Sequence, residues 1–219
     1  FFYHPHPAIP DPLWSRGLGD VYKRQVSVLA ATKYIVGHSD VMMGIITTTN
    51  EHWQRVRQSA SDLGANSGPD DVYLALRGLR TIGVRMRQHF VSGLKLATWL
   101  ESRPEVDRVL HPGLPTHPQH DIWKRDFSGA CGLFGIVLKP VNEEAIASML
   151  DGLKLYGMGA SWGGFESLIL LTNPAATRTV AKEKWENDGP TLRIHVGLED
   201  IDDLIADLEE GFKRLNAKR

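Results

Sequence analysis

Ala30-Ala31-Thr32-Lys33-Tyr34-Ile35-Val36-Gly37-His38-Ser39-Asp40 places a lysine directly after an apolar run, Val26 to Ala31, that reads as a strand. A hydroxyl residue precedes the lysine, and a short Gly-His-Ser-Asp turn follows. A lysine at the end of a buried strand is costly to desolvate, because burial pushes its ammonium towards the neutral amine. The neutral amine is the nucleophile that forms Schiff bases. Two readings stand here: a surface lysine between two strands, the ordinary place for this residue type, or a reactive amine. The rest of the chain decides between them.

The chain has 219 residues, enough for one large domain or two small ones. With 42% hydrophobic and 23% charged residues it reads as an ordinary globular protein. A formal net charge of -1 offers no electrostatic case for a nucleic acid or an anionic membrane as partner. The single cysteine, Cys131, cannot close an internal disulfide, which fits a reducing, cytoplasmic compartment. No apolar run reaches the length of a membrane span, and no basic segment followed by an apolar one marks a secretory signal.

Residues 1–25 differ from the remainder. Phe1-Phe2-Tyr3-His4-Pro5-His6-Pro7 and Pro10-Asp11-Pro12 have no periodicity and too many prolines for the interior of a helix or strand. The segment reads as unrelated or artefactual sequence joined near Val26, the other reading being an extended arm towards a partner subunit. From Val26 the chain becomes regular. Val41 to Thr48 is a second continuous apolar run, of the kind buried on both faces in an α/β protein. Asn50 can cap a helix over Glu51 to Leu63 that ends at Gly64. Pro69 and Asp70 open a long helix whose apolar positions, from Leu76 to Leu100, recur at three- and four-residue steps. Gly78, Gly83 and Gly93 within it indicate close packing or a bend. Beyond Pro104 strands and helices alternate: strands over Val106 to Leu110, Gly132 to Leu138, Phe165 to Leu171 and Leu192 to Val196, and helices over His117 to Phe127, from Asn142 to about Leu153, and from Asp200 to Asn216. The pattern divides the chain into 26–75, the end of one α/β domain, and 76–219, a long linking helix with a smaller α+β domain.

Three places could carry chemistry. Lys33 is the first, with the Thr32 hydroxyl beside it able to donate to a phosphate. The second is Gly159-Ala160-Ser161-Trp162-Gly163-Gly164-Phe165-Glu166-Ser167, a glycine-rich stretch before a strand, read either as a ligand loop or as a plain connection whose tryptophan caps the core. The third is Arg193 in Thr191-Leu192-Arg193-Ile194-His195-Val196. Strand alternation puts Leu192, Ile194 and Val196 on one face and Arg193 with His195 on the other. Arginine there can clamp a carboxylate bidentately, or point outward from a half-solvated sheet. His111, His117 and His120 lie among prolines, and no cysteine or compact carboxylate set completes a metal site with them.

These places coincide with a family pattern. Ala31 to Asp40, Leu76-Arg77-Gly78-Leu79-Arg80-Thr81, Ser161-Trp162-Gly163-Gly164-Phe165-Glu166-Ser167 and Arg193-Ile194-His195-Val196-Gly197-Leu198-Glu199-Asp200 follow in order over nearly the whole chain from Val26. Together they resemble the C-terminal part of the trans-sulfuration (Cys/Met metabolism) family of pyridoxal-phosphate enzymes. The resemblance implies an α/β fold: the C-terminal part of a fold-type I PLP-dependent transferase, comprising the end of the large PLP domain and the smaller α+β domain. It implies that Lys33 binds pyridoxal 5'-phosphate as a Schiff base and then acts as the base, that Thr32 contacts the phosphate, and that Ser161, Trp162 and Arg193 hold the substrate α-carboxylate. The Ser-Trp-Gly-Gly form points to the cystathionine β-lyase branch, which splits L-cystathionine into homocysteine, pyruvate and ammonia in methionine biosynthesis. The γ-synthase and γ-lyase branches usually carry a smaller residue at position 162. The family assembles as homotetramers. Ala30 stands where relatives often have a phosphate-binding serine, and Phe165 replaces a common tyrosine. Residues 1–25 match nothing in the family's N-terminal half, which implies an N-terminally truncated enzyme whose polypeptide alone binds the cofactor poorly, or a non-catalytic oligomerisation fragment.

Overall fold

The computed structural model describes residues 25–177 and 189–219. The segment 1–24, nearly all of the stretch set apart above, lies outside the described residues. The chain divides into two compact units, one ending at Gly83 and the other running from Val84 to Arg219.

In the first unit, strand β1 (Val26–Ala30) pairs antiparallel with β2 (Gly44–Thr48), Val26 opposite Thr48 and Ala30 opposite Gly44. β2 is shorter than its apolar run, and among the described residues the sheet has two strands. Val28 is 73% exposed and Ile46 48%, so the expectation of strands buried on both faces is not met. The apolar run signals what the strand would bury, whereas actual burial depends on neighbouring strands, and here β1 and β2 pair with each other. Helix α1 (Asn50–Asp62) follows, with Thr49 rather than Asn50 as its N-cap; the Thr49 hydroxyl bonds His52 Nδ1 at 2.9 Å. Helix α2 (Pro69–Glu101) is the long helix the periodicity predicts, with proline at its first turn, where a missing N–H has no partner to lose. The boundary between the units falls inside it. Its N-terminal part contributes Ala75 to a small cluster with Val36 and Val41.

The second unit is built on a five-stranded sheet in the order β3-β4-β7-β6-β5. The strands are β3 (Val106–Leu110), β4 (Leu133–Leu138), β5 (Gly157–Met158), β6 (Leu168–Thr172) and β7 (Thr191–His195). All neighbours are antiparallel except β5 with β6. Between them lie α3 (His120–Asp126), α4 (Glu143–Asp151) and a single turn, α5 (Pro174–Thr177); α6 (Ile201–Ala217) closes the chain. Asn142 and Asp200 stand at the two helix starts that the sequence places there. Asn142 accepts the Ala145 N–H, and Asp200 accepts the N–H groups of Asp202 and Asp203, satisfying donors that a helix start leaves open. At the other end of α4, Arg214 donates to the carbonyls of Ser148 and Met149 at 3.1 Å, a cation on the negative end of the helix.

One core fills this unit. Leu96 and Leu100 of α2, Ile146 and Met149 of α4, and Leu204, Leu208 and Phe212 of α6 pack on Phe134, Ile136, Ile169, Leu192 and Ile194 of the sheet. Among the described residues no helix is long and apolar enough to cross a membrane. Phe212 is fully buried, and its Phe212→Ala variant is expected to lose about 3–5 kcal/mol, measured as a lowered urea midpoint at unchanged m-value.

Candidate active site

Thr32 and Lys33 lie in the first unit, and Ser161, Trp162 and Arg193 in the second; each set is described within its own unit. Lys33 sits in the tight turn that leaves β1. The Val36 N–H donates to Ala31 O at 2.9 Å and the Gly37 N–H to Lys33 O at 2.8 Å, so the backbone curls once around the lysine. Gly37 has φ 69° and Ser39 φ 58°, the left-handed region that turns the chain back towards β2. Lys33 is half-buried. The Thr32 hydroxyl accepts the Met43 N–H at 2.8 Å and donates to Met43 O at 3.3 Å. It therefore ties the end of β1 to the approach to β2. A phosphate contact requires its proton to turn from Met43 O, and a bond that long gives up little.

The seat of this turn was only half legible in sequence. Gly78 of α2 lies so close beneath it that a Cβ there would overlap the carbonyl oxygens of Ile35 and Val36. The helix backbone thus supports the lysine turn directly, with no side chain between.

In the second unit the register fixes the other set. β7 lies between β4 and β6, so Arg193 stands between Gly135 and Leu170, and His195 between Leu133 and Leu168. Arg193 points away from the core, as strand alternation predicts. Its Nη2 donates to the carbonyls of Gly159 and Ser161, each at 3.4 Å, and its guanidinium carbon stands 5.6 Å from the centre of the Trp162 ring. A cation over an indole face is attracted by the ring quadrupole. In this loop Ser161 is exposed and Trp162 half-buried, and both flank a half-buried guanidinium. Among the described residues Arg193 meets two carbonyls and one ring, none of them a carboxylate. The arrangement leaves a bidentate donor facing out beside a serine, which suits an incoming carboxylate.

Sequence reading missed what holds this loop. Gly163, at φ 85°, donates its N–H to His195 Nε2 at 3.0 Å. Glu199 accepts the Ser167 N–H at 2.6 Å and the Ser167 hydroxyl at 2.8 Å. Ser167 Oγ in turn accepts the Gly197 N–H at 2.8 Å, and Phe165 O accepts the Leu198 N–H at 2.8 Å. His89 of α2 donates Nδ1–H to Val196 O at 2.8 Å, its ring 5.4 Å from that of His195. The available signal was His195 itself, a polar residue on the same strand face as Arg193. Among the described residues no group of three His, Cys, Asp or Glu side chains is arranged to hold a metal.

His195 is pushed down from the ordinary imidazole value to about 4, first by burial and then by the charges of His89 and Arg193, against the Gly164 carbonyl, which raises it. Burial lowers His89 and His111 as well.

The chain matches the family model described as "Cys/Met metabolism PLP-dependent enzyme" over residues 12–213. It is 48% identical over 192 residues to the cystathionine beta-lyase MetC of Escherichia coli, covering 87% of this chain and 49% of that protein. It is 48% identical over 196 residues to a putative cystathionine beta-lyase of Rhizobium johnstonii, covering 88% of this chain and 49% of that one. A cystathionine gamma synthase of Xanthomonas oryzae, solved in complex with cystathionine, superposes with a TM-score of 0.79 at 35% identity over 89% of this chain and 51% of that chain. The chain thus spans about half the length of the relatives it matches, and its fold corresponds to part of theirs.

Two outcomes follow. Gly78→Ala forces α2 and the lysine turn apart and is expected to cost about 1–3 kcal/mol by chemical denaturation, whereas the exposed Arg77→Ala is near neutral. For His195 the folded value lies below the unfolded one. Its contribution is therefore complete above pH about 6.5 and is lost as pH falls towards about 4. Stability measured against pH should fall by on the order of 2–3 kcal/mol more in the wild type than in His195→Gln across that window.

Proposed function

We propose, from the premise that this chain belongs to the Cys/Met metabolism PLP-dependent enzyme family, that it is the part of a carbon–sulfur lyase that carries the reactive lysine and the substrate-carboxylate clamp. The reaction is β-elimination of L-cystathionine to homocysteine, pyruvate and ammonia. The observation that carries this reading is Arg193: a half-buried guanidinium, backed by the Trp162 ring and flanked by Ser161, with no carboxylate partner among the described residues. Lys33, half-buried at the end of β1 in a turn closed on its own carbonyl, supports it from the other unit.

The residues present fit pyridoxal phosphate: an amine is held at the end of a strand, and a hydroxyl adjoins it whose donated bond is long and weak. Lys33 would hold the group, with Thr32 turning to its phosphate. When bound, it supplies an electron sink conjugated with the substrate Cα. Arg193 and Ser161 bind the α-carboxylate and fix the rotation at Cα; the Lys33 amine is the base. The amine takes the Cα proton. The Cβ–S bond breaks with its electron pair going to sulfur, which leaves as the homocysteine thiolate and takes up a proton. The remaining three-carbon unit takes up water and yields pyruvate and ammonia. Trp162 favours the β-reaction, on the resemblance of Ser161-Trp162-Gly163-Gly164 to that branch. The likeness to a cystathionine gamma synthase favours γ-chemistry as the second reading. Assembly as a homotetramer is part of the same proposal.

The test is to add pyridoxal phosphate and then cystathionine. From this polypeptide alone a weak visible absorbance band, lost in Lys33→Ala, and little turnover are expected, with pyruvate and homocysteine as the products; a robust Lys33-dependent band with full cystathionine cleavage would refute the expectation of poor cofactor binding. Turnover that survives Lys33→Ala would overturn the assignment, and 2-oxobutyrate with cysteine would move it to the γ-reaction.

A further inference from the structure

The bonds described above hold the loop at the residues beside Ser161 and Trp162. Glu199 and Gly197 hold the far end, at Ser167. At the near end Arg193 donates to the carbonyls of Gly159 and Ser161, and one imidazole meets Gly163. His195 Nε2 lies 3.0 Å from the Gly163 nitrogen and 3.3 Å from Gly164 O. One ring nitrogen cannot accept from the first and donate to the second. Gly163 is buried, and a buried backbone N–H needs an acceptor. The closer contact therefore assigns the lone pair to Nε2 and the proton to Nδ1. Gly163, at φ 85°, is also the point where the backbone turns directly after Trp162.

We propose that His195 is a positioning residue: its neutral, Nδ1-protonated ring accepts the Gly163 N–H, sets the Ser161–Trp162 loop over Arg193, and thereby sets affinity for the substrate's α-carboxylate. This rests on the reading of Arg193, Ser161 and Trp162 as the carboxylate site. A proton on Nε2 would face the Gly163 N–H donor to donor and release the loop. The ring is surrounded by groups that disfavour that proton. His89 stands 5.4 Å away across tilted rings, Arg193 is two residues along the same strand, and neither neighbouring strand position, Leu133 or Leu168, carries charge. Glu199 acts on His89, opposed by Arg85.

The first measurement is the tautomer, by long-range 15N–1H correlation on the histidine-labelled chain at neutral pH. An unprotonated Nε2 on His195 is expected, and a protonated Nε2 would overturn the proposal. The second compares His195→Leu, which keeps an apolar side chain of moderate size without an acceptor, with His195→Gln, whose Oε1 can accept. Gly163 amide and Trp162 indole resonances should shift in the Leu variant and return in part in the Gln variant, with α4 resonances unmoved. In turnover of cystathionine, His195→Leu should raise KM about 10-fold with kcat within about twofold, and His195→Gln should lie between. Unshifted loop resonances in His195→Leu, or an unchanged KM in an active enzyme, would sink the proposal. If the wild type cleaves no cystathionine, the KM comparison falls away, while the tautomer and the loop resonances still judge His195. If His195→Leu does not fold, the tautomer and the Gln variant decide.

Discussion

Strand β7 has to meet two environments one residue apart. Leu192, Ile194 and Val196 are fully buried in the main core, while Arg193 and His195 alternate with them on the opposite face. A slip of one residue would drive a guanidinium and an imidazole into the apolar layer beneath α4 and α6 and lift three aliphatic side chains out of it. The cost of that exchange is what holds Arg193 in place. The core therefore positions the charge from the opposite face of the strand.

The face opposite the core is not simply wet. His195, Ser167 and Gly163 are buried there, and buried polar groups are tolerable only when paired. Each has found its partner in the loop or at the end of β7. These bonds leave the loop a narrow choice of positions, because moving one member strands another. Glu199 illustrates this: its two oxygens take the backbone and side-chain donors of one residue, Ser167, whose oxygen then takes the Gly197 N–H.

What could be read from the sequence was what is encoded locally. The 3.6-residue rhythm of α2, the caps at Asn142 and Asp200, and the alternation around Arg193 depend on neighbours a few positions away. The roles of Lys33, Ser161 and Trp162 came from family resemblance rather than from rhythm. What stayed hidden depended on distant partners. Nothing near Thr32 says that its hydroxyl meets Met43, and nothing near Gly78 names the Val36 carbonyl as the atom that excludes a side chain. The apolar run of β2 reads as fully buried because composition cannot report how many strands lie beside it. His195 was placed on the correct face, but its partner lies 32 residues earlier, in a loop whose backbone conformation no pattern announces.

The loop separates mounting from display. Gly163, Phe165 and Ser167 are gripped by β7 and the turn that follows it, whereas Ser161 and Trp162 are what the loop presents. The side chain at 162 can therefore be exchanged in evolution without dismantling the bracket that carries it.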